Sequence, residues 1–414
     1  MLRGYALYVA IMILFMVSLI CGSLLMLYDL NDKEYYIYET DRRLRNNVES
    51  TFNELSTAEI EQGVIVKDLF GEKRDSVEMS SGNWGMLSYI SVKAFSGDRS
   101  RSKSALMGPL LHSKEEYAIY LANSNKTFSL CGNTLIKGKC FIPESGVKRI
   151  HIDGIDFMGD QLIEGDQEKS TSALPEIRKE FTDHVASYLQ GKFDDKDSVM
   201  IFTGDSVKVL RSFRERTLVM KNSGPMVLEN IEYRGKIIIQ ASGWVEIKNT
   251  AILEDIVIMA PVIFIDEGFK GSGQFFASDS LMTGNDCKFL YPSVLAVIGI
   301  KDTASAMLNL GEGSKVMGAV FNYQQKQAVN NRNLLSLSKD SEVYGQVYSN
   351  GLLEIKGSVY GSVVCEKFIL RTNSSIYENH LLDATVDISK LPEGFIGVSL
   401  LKENKDLDIL KWLN

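Results

Sequence analysis

Cysteine, histidine and proline are scarce in this chain: its 414 residues include five, four and seven of them. The closest cysteines, Cys131 and Cys140, stand nine positions apart. Zinc sites draw on tighter pairs such as C-x2-C with further ligands nearby. His112, His151, His184 and His380 are scattered. No metal site is expected, and no cofactor. The sequence lacks a G-x-x-x-x-G-K-[ST] loop, an H-E-x-x-H helix and a G-x-S-x-G turn, so the common phosphate-binding, zinc-protease and serine-hydrolase signatures are missing. A basic excess is missing too. The net charge of −8 supplies no field for nucleic acid, and no nucleic-acid partner is expected.

What is present begins near the N-terminus. After Arg3-Gly4 an uncharged run extends from Tyr5 to Tyr28. Its 24 residues would make a helix of about 36 Å, against a hydrocarbon core of about 30 Å. A secretory h-region is shorter and ends in small residues, and the large Ile20 before Cys21 does not suit a lipoprotein site. A retained single-pass anchor is expected, in contact with the bilayer through residues 5–28. Arg3 before the span and Asp29, Asp32 and Glu34 after it favour a cytoplasmic N-terminus and an exported body at the inner membrane. Arg42, Arg43 and Arg45 further on weigh the other way.

Residues 30–55 contain no proline or glycine, and Tyr35, Ile37, Leu44, Val48, Phe52 and Leu55 recur at mostly helical intervals. One helix from Tyr5 to about Leu55 is expected, making an anchor and extended helix over 1–57, with a separate amphipathic helix after a break at 29–32 as the alternative. Val64–Val66, Met86–Val92 and Tyr117–Leu121 read as strands separated by glycines. They predict a small antiparallel sheet over 58–128 that finds its apolar partner face on the helix.

Arg3-Gly4-Tyr5, followed by an apolar helix that continues into a β-containing domain, resembles a type IV pilin or minor pseudopilin. The resemblance implies cleavage after Gly4 and Tyr5 as the mature N-terminus. It also implies other pilin-like or envelope subunits as partners. The family's glutamate at the fifth mature position is not matched, because Val9 stands there. A plain signal anchor is the alternative.

From Leu130 glycines recur at Gly132, Gly138, Gly146, Gly154, Gly159 and Gly165, with short apolar pieces between them. The texture returns from Val227 to about Ile376, where Val343-Tyr344-Gly345 recurs as Val359-Tyr360-Gly361. Short β-rich units at a steady spacing point to a solenoid, since one unit cannot bury its own apolar face. The fold expected is mainly β: the long helix, the small sheet, then a single-stranded β-helix. Its first turns lie at 129–165 and its main body at 225–380. Gly345, Gly351, Gly357 and Gly361 are expected at its corners. Similar glycine-valine repeats occur in bactofilins, and the last third of the chain resembles them. An irregular β-sandwich is the rival.

Residues 166–224 interrupt the pattern. Leu174-Pro175-Glu176 reads as a helix start, Ile177, Phe181, Val185 and Tyr188 as its apolar stripe, and Gly191 as its stop. The segment 381–414 is expected to cap the open end, with a short amphipathic helix in LKENKDLDILKWLN carrying Trp412 and Leu413. Arg99–Lys103 reads as an exposed basic loop.

Cys131 and Cys140 would pair in a disulfide if the body is exported. Asp266, Glu267, Asp279 and Asp286 are the carboxylates that a polysaccharide-cleaving β-helix would use. Acidic residues at solenoid corners are more often solvated turn residues. The expected function is therefore non-enzymatic: a membrane-anchored envelope protein acting by assembly with other subunits. A polysaccharide-binding or -cleaving β-helix and a cytoplasm-facing bactofilin-like scaffold are the alternatives.

Overall fold

The computed structural model describes residues 2–55, 63–71, 74–111, 117–195, 197–204, 207–300, 306–325, 333–398, 401 and 407–413. The chain divides into two compact units. The first is built on Met1–Leu55, Gly63–Ser80 and Ser91–Lys103, the second on Ser81–Ile90 and Ser104–Asn414.

In the first unit one helix, α1, runs unbroken over Leu2–Leu55. No break occurs at 29–32, where neither proline nor glycine interrupts the helix. Leu7, Ile11, Leu14, Leu19, Leu25 and Leu27 are all exposed. Beyond them Thr40, Leu44, Val48, Thr51 and Phe52 are buried along one face. Tyr35 and Ile37, expected on that face, are 66% and 41% exposed. Ion pairs join α1 to residues of the strands' segments: Arg43 to Asp75 at 3.4 Å, Glu54 to Lys67 at 2.7 Å, and Asp41 to Arg101.

Strands β1 (Gly63–Lys67), β2 (Ser76–Trp84), β3 (Leu87–Ser96) and β4 (Arg99–Pro109) form a small sheet in that order, and Leu407–Leu413 adds at the β4 edge. Two expectations change here. Arg99–Lys103 is the start of β4 rather than a loop. The C-terminal stretch is a strand, antiparallel to β4 from Leu407↔Pro109 to Leu413↔Ser104, rather than a helix.

Almost all other strands of the second unit pair in parallel, in three ladders. The longest begins at Ser198–Ile201 and passes through Leu218–Asn222, Ile237–Ala241 and Ile256–Ile265. It continues through Gly273–Thr283, Lys288–Gly299, Lys315–Gln324, Glu342–Ile355 and Ser358–Arg371. The next members are Ile119–Leu121, Cys140–Ile142 and Gln167–Lys169. The turns that come first in the sequence thus stack on the last, and Ile119–Leu121 belongs to this stack rather than to the small sheet. Long strands change partners along their length: Ile256–Ile265 pairs with Ile237–Ala241 over its first half and with Trp244–Ile247 over its second, on either side of a register shift between Ala260 and Val262. Each such shift marks where the chain leaves one ladder for the next.

Alternation explains why this ladder reads as continuous apolar runs. Ile237, Ile239, Ile256 and Ile258 point into one core with Phe275 and Val297. Ile238, Val257, Met259 and Phe276 point the other way into a second core. Strands buried on both faces need no polar alternation. The second core is completed by Trp84, Met86 and Leu106 and by helix α2 (Lys179–Leu189), which contributes Val185 and Tyr188. α2 starts four residues after Pro175, and Gly191 follows its end at φ +76°.

Several corners are turned by Asn and Asp rather than glycine. Asn230, Asp255, Asp286, Asp340 and Asp383 all have φ between 53° and 58°. Short polar side chains tolerate this left-handed region better than other residues with a Cβ.

Candidate assembly surfaces

The segment Tyr5–Glu54 is long and apolar enough to cross a membrane. Gly4 and Tyr5 lie within α1, and Tyr5 is exposed. The helical rise places Tyr8 and Tyr28 about 30 Å apart, and both rings are exposed. Tyrosines favour membrane–water interfaces, and this spacing matches the hydrocarbon thickness.

Among the described residues the stack of parallel strands has two open edges. Ser198–Ile201 pairs with Leu218–Asn222 on one side, and no strand flanks its other side among the described residues. Its neighbour in the next ladder, Lys208–Arg211, pairs among the described residues with Glu232–Gly235 alone. Around this edge Val199, Ile201, Val207 and Leu210 are 54%, 76%, 63% and 60% exposed. At the opposite end Gln167–Lys169 pairs with Cys140–Ile142. All three of its residues are exposed, and Lys169 forms an ion pair with Glu144 at 2.7 Å. Unpaired strand edges present rows of N–H and C=O groups that template pairing with another chain. The described residues of the C-terminal segment do not cap either edge. Leu413 is buried in the second core, and the strand Thr385–Asp387 sits inside a ladder, between Ser358–Val359 and Leu135–Lys137.

Cys131 and Cys140 are not joined. Cys131 Sγ donates to Ile155 O at 3.0 Å and Cys140 Sγ to Gly138 O at 3.5 Å. Burial raises both thiol pKa values, that of Cys140 to about 12, so neither is a reactive thiolate. Their spacing suggested a staple across one turn. Each side chain instead finds its own backbone acceptor.

Gly345, Gly351 and Gly361 lie inside strands, and Gly357 sits in the bend between two of them. A Cβ on Gly351 would approach Asn333 O to 2.7 Å, and one on Gly357 would approach Ser341 O to 2.3 Å. These glycines serve close stacking as much as turning.

Asp266 pairs with Lys248 at 3.2 Å, Asp279 accepts from Ser278 at 3.0 Å, and Asp286 holds a left-handed turn. Glu267 is in the turn before Phe269. Among the described residues no three His, Cys, Asp or Glu side chains converge as metal ligands. His112 lies outside the described residues.

No protein-family model matches the chain. None of the curated proteins matches it either. Among solved structures it has a likeness to the competence-associated pilin ComZ from Thermus thermophilus. That likeness has 10% identity and a TM-score of 0.21, and covers 86% of this chain and 87% of the other. A superposition this loose carries no argument about fold or function.

Proposed function

We propose that this is a single-pass membrane protein of the cell envelope that works by assembly rather than catalysis. Its β-helix, anchored through residues 5–28, would pair end to end with that of a second copy. The observation that carries the reading is the exposed apolar edge at Ser198–Ile201, where a parallel ladder stops without a partner strand among the described residues. A stack with two different free edges is suited to head-to-tail pairing, which is heterologous and open-ended. The name β-helix rests on three parallel ladders whose strands recur in register, at offsets such as the 16 residues from Val343 to Val359.

The exposed apolar half of α1 supports the anchor. The pilin-like reading rests on Gly4-Tyr5 and on the continuity of α1. In it, cleavage after Gly4 would make Tyr5 the mature N-terminus. An exported body and a cytoplasmic N-terminus follow from the charges that flank the span.

Alkaline extraction and protease protection of intact cells and spheroplasts test the anchor and its orientation. The protein should resist extraction, and its body should be cleaved only once the outer face is opened. Release into the alkaline supernatant would overturn the anchor. Protection of the body in spheroplasts would overturn the orientation.

A further inference from the structure

A cleft of about 580 Å³ opens on the outer side of the stack, remote in sequence from the free edge at Ser198–Ile201. One wall follows three successive turns of the solenoid: Tyr291, then Met317, then Tyr344, the last two being register partners. The other wall is the segment Pro392–Ile396, with Leu410 beside it. Tyr291 and Phe395 meet across the cleft with ring centroids 5.3 Å apart and planes at 60°. A Cβ at Gly345 would lie 3.3 Å from a Phe395 ring carbon, so this glycine lets the ring settle against the strand.

The polar handles of these rings are already engaged. Tyr291 OH donates to Ile396 O at 2.9 Å, and Tyr344 OH donates to Glu342 at 3.2 Å. The cleft therefore offers aromatic surface rather than free hydroxyls. That is poor provision for a sugar, which needs several side-chain donors and acceptors. One charged residue lines the cleft, Glu393. It is exposed and makes no ion pair among the described residues. Two lysines lie near the Tyr344 wall: Lys315 pairs with Glu342 at 2.8 Å, and Lys390 stands over the Tyr360 ring at 4.9 Å.

Ring faces carry negative electrostatic potential, and a carboxylate at the rim adds to it. A primary ammonium needs three acceptors, of which this apolar lining supplies too few. A methylated ammonium needs none. We propose that this cleft binds a quaternary ammonium group, carried by a soluble small molecule or by a lipid headgroup.

Calorimetry on the full chain in nonionic detergent micelles tests this. Choline is compared with 3,3-dimethyl-1-butanol, its neutral isostere. Choline should bind at least about three-fold more tightly, in keeping with a cation–π contact in an open cleft. Glu393→Gln and Phe395→Ala should each weaken it about five-fold or more, while Tyr344→Phe, which keeps the ring, should change it less than about two-fold. Circular dichroism checks that each variant is folded. Lysophosphatidylcholine doped into the micelles, set against free choline, separates a headgroup from a soluble ligand, and saturation by either supports the proposal. Equal affinity for the neutral isostere would overturn it. So would unchanged binding in folded Glu393→Gln and Phe395→Ala, or no binding of either cation.

Discussion

Gly345 and Gly361 are direct register partners in adjacent parallel strands, with φ of +135° and +153°. A Cβ on Gly361 would sit 1.8 Å from Gly345 O. Backbone conformation and backbone contact both exclude a side chain here. Gly361→Ala should cost about 3 kcal/mol or more, combining strain at a glycine-only φ with displacement of a neighbouring strand. Gly82→Ala, where nothing lies within 4 Å of the new Cβ, should cost under about 1 kcal/mol. Denaturant midpoints compare the two, and equal midpoints would refute the stacking argument.

The C-terminal strand is tied to the stack by Lys411. Its Nζ lies 2.7 Å from Asp255 and 3.2 Å from Glu254, and Asp255 O accepts from Trp84 Nε1 at 3.0 Å. Burial raises the Asp255 pKa even with Lys411 beside it. Burial opposes the Lys411 charge, yet the two carboxylates hold its pKa above the usual lysine value. Lys411→Met removes the cation that faces the buried Asp255 and its neighbour Glu254. The expected loss is about 2–3 kcal/mol, below the full cost of breaking a buried pair because Lys411 keeps 30% exposure.

The pH dependence follows from the sign of each shift. A raised folded pKa binds protons preferentially in the folded state, so its contribution fades as pH rises through that pKa. The wild-type protein should lose the Lys411 contribution above about pH 10.5, where free lysine begins to discharge. The Lys411→Met variant should recover stability as pH falls from 7 towards the raised pKa of Asp255. Melting temperatures across pH 5–7 that do not converge on the wild type would contradict this.

Cleavage after Gly4 makes a separate prediction. Mass spectrometry of the protein from its native membrane should find Tyr5 as the N-terminal residue. An N-terminus upstream of Gly4, or far beyond it, would remove the pilin-like reading and leave the anchor intact.

Sequence and structure agree most where partners are close in the chain. The unbroken α1 is local and was legible from the absence of helix breakers. The Val-Tyr-Gly repeat was legible because residues 16 apart become register partners, as Tyr344 and Tyr360 do. The strand Leu407–Leu413 was not, because its partner Ser104–Pro109 lies some 300 residues away. The order of turns was equally hidden: Ile119–Leu121 stacks on Val363–Cys365, a non-local pairing with no trace in spacing. A search for corners by glycine passes over Asp255 and Asp340, which turn the chain with φ near 57°. The open edge at Ser198–Ile201 falls in the stretch read as an interruption. Its SVMI is too short to announce a strand. The cysteine pair misled for a different reason: nine positions suit a hairpin staple, but the side chains take separate carbonyl partners.

End-to-end pairing is tested most directly by cysteine cross-linking in native membranes. Ile201→Cys and Gln167→Cys place one thiol on each free edge of the stack, in a chain whose other thiols outside the span are buried. The account predicts that mild oxidation of the double variant gives a ladder of covalent oligomers, while neither single variant extends beyond a dimer. A double variant that stays monomeric, in membranes where the protein is folded and anchored, would contradict it.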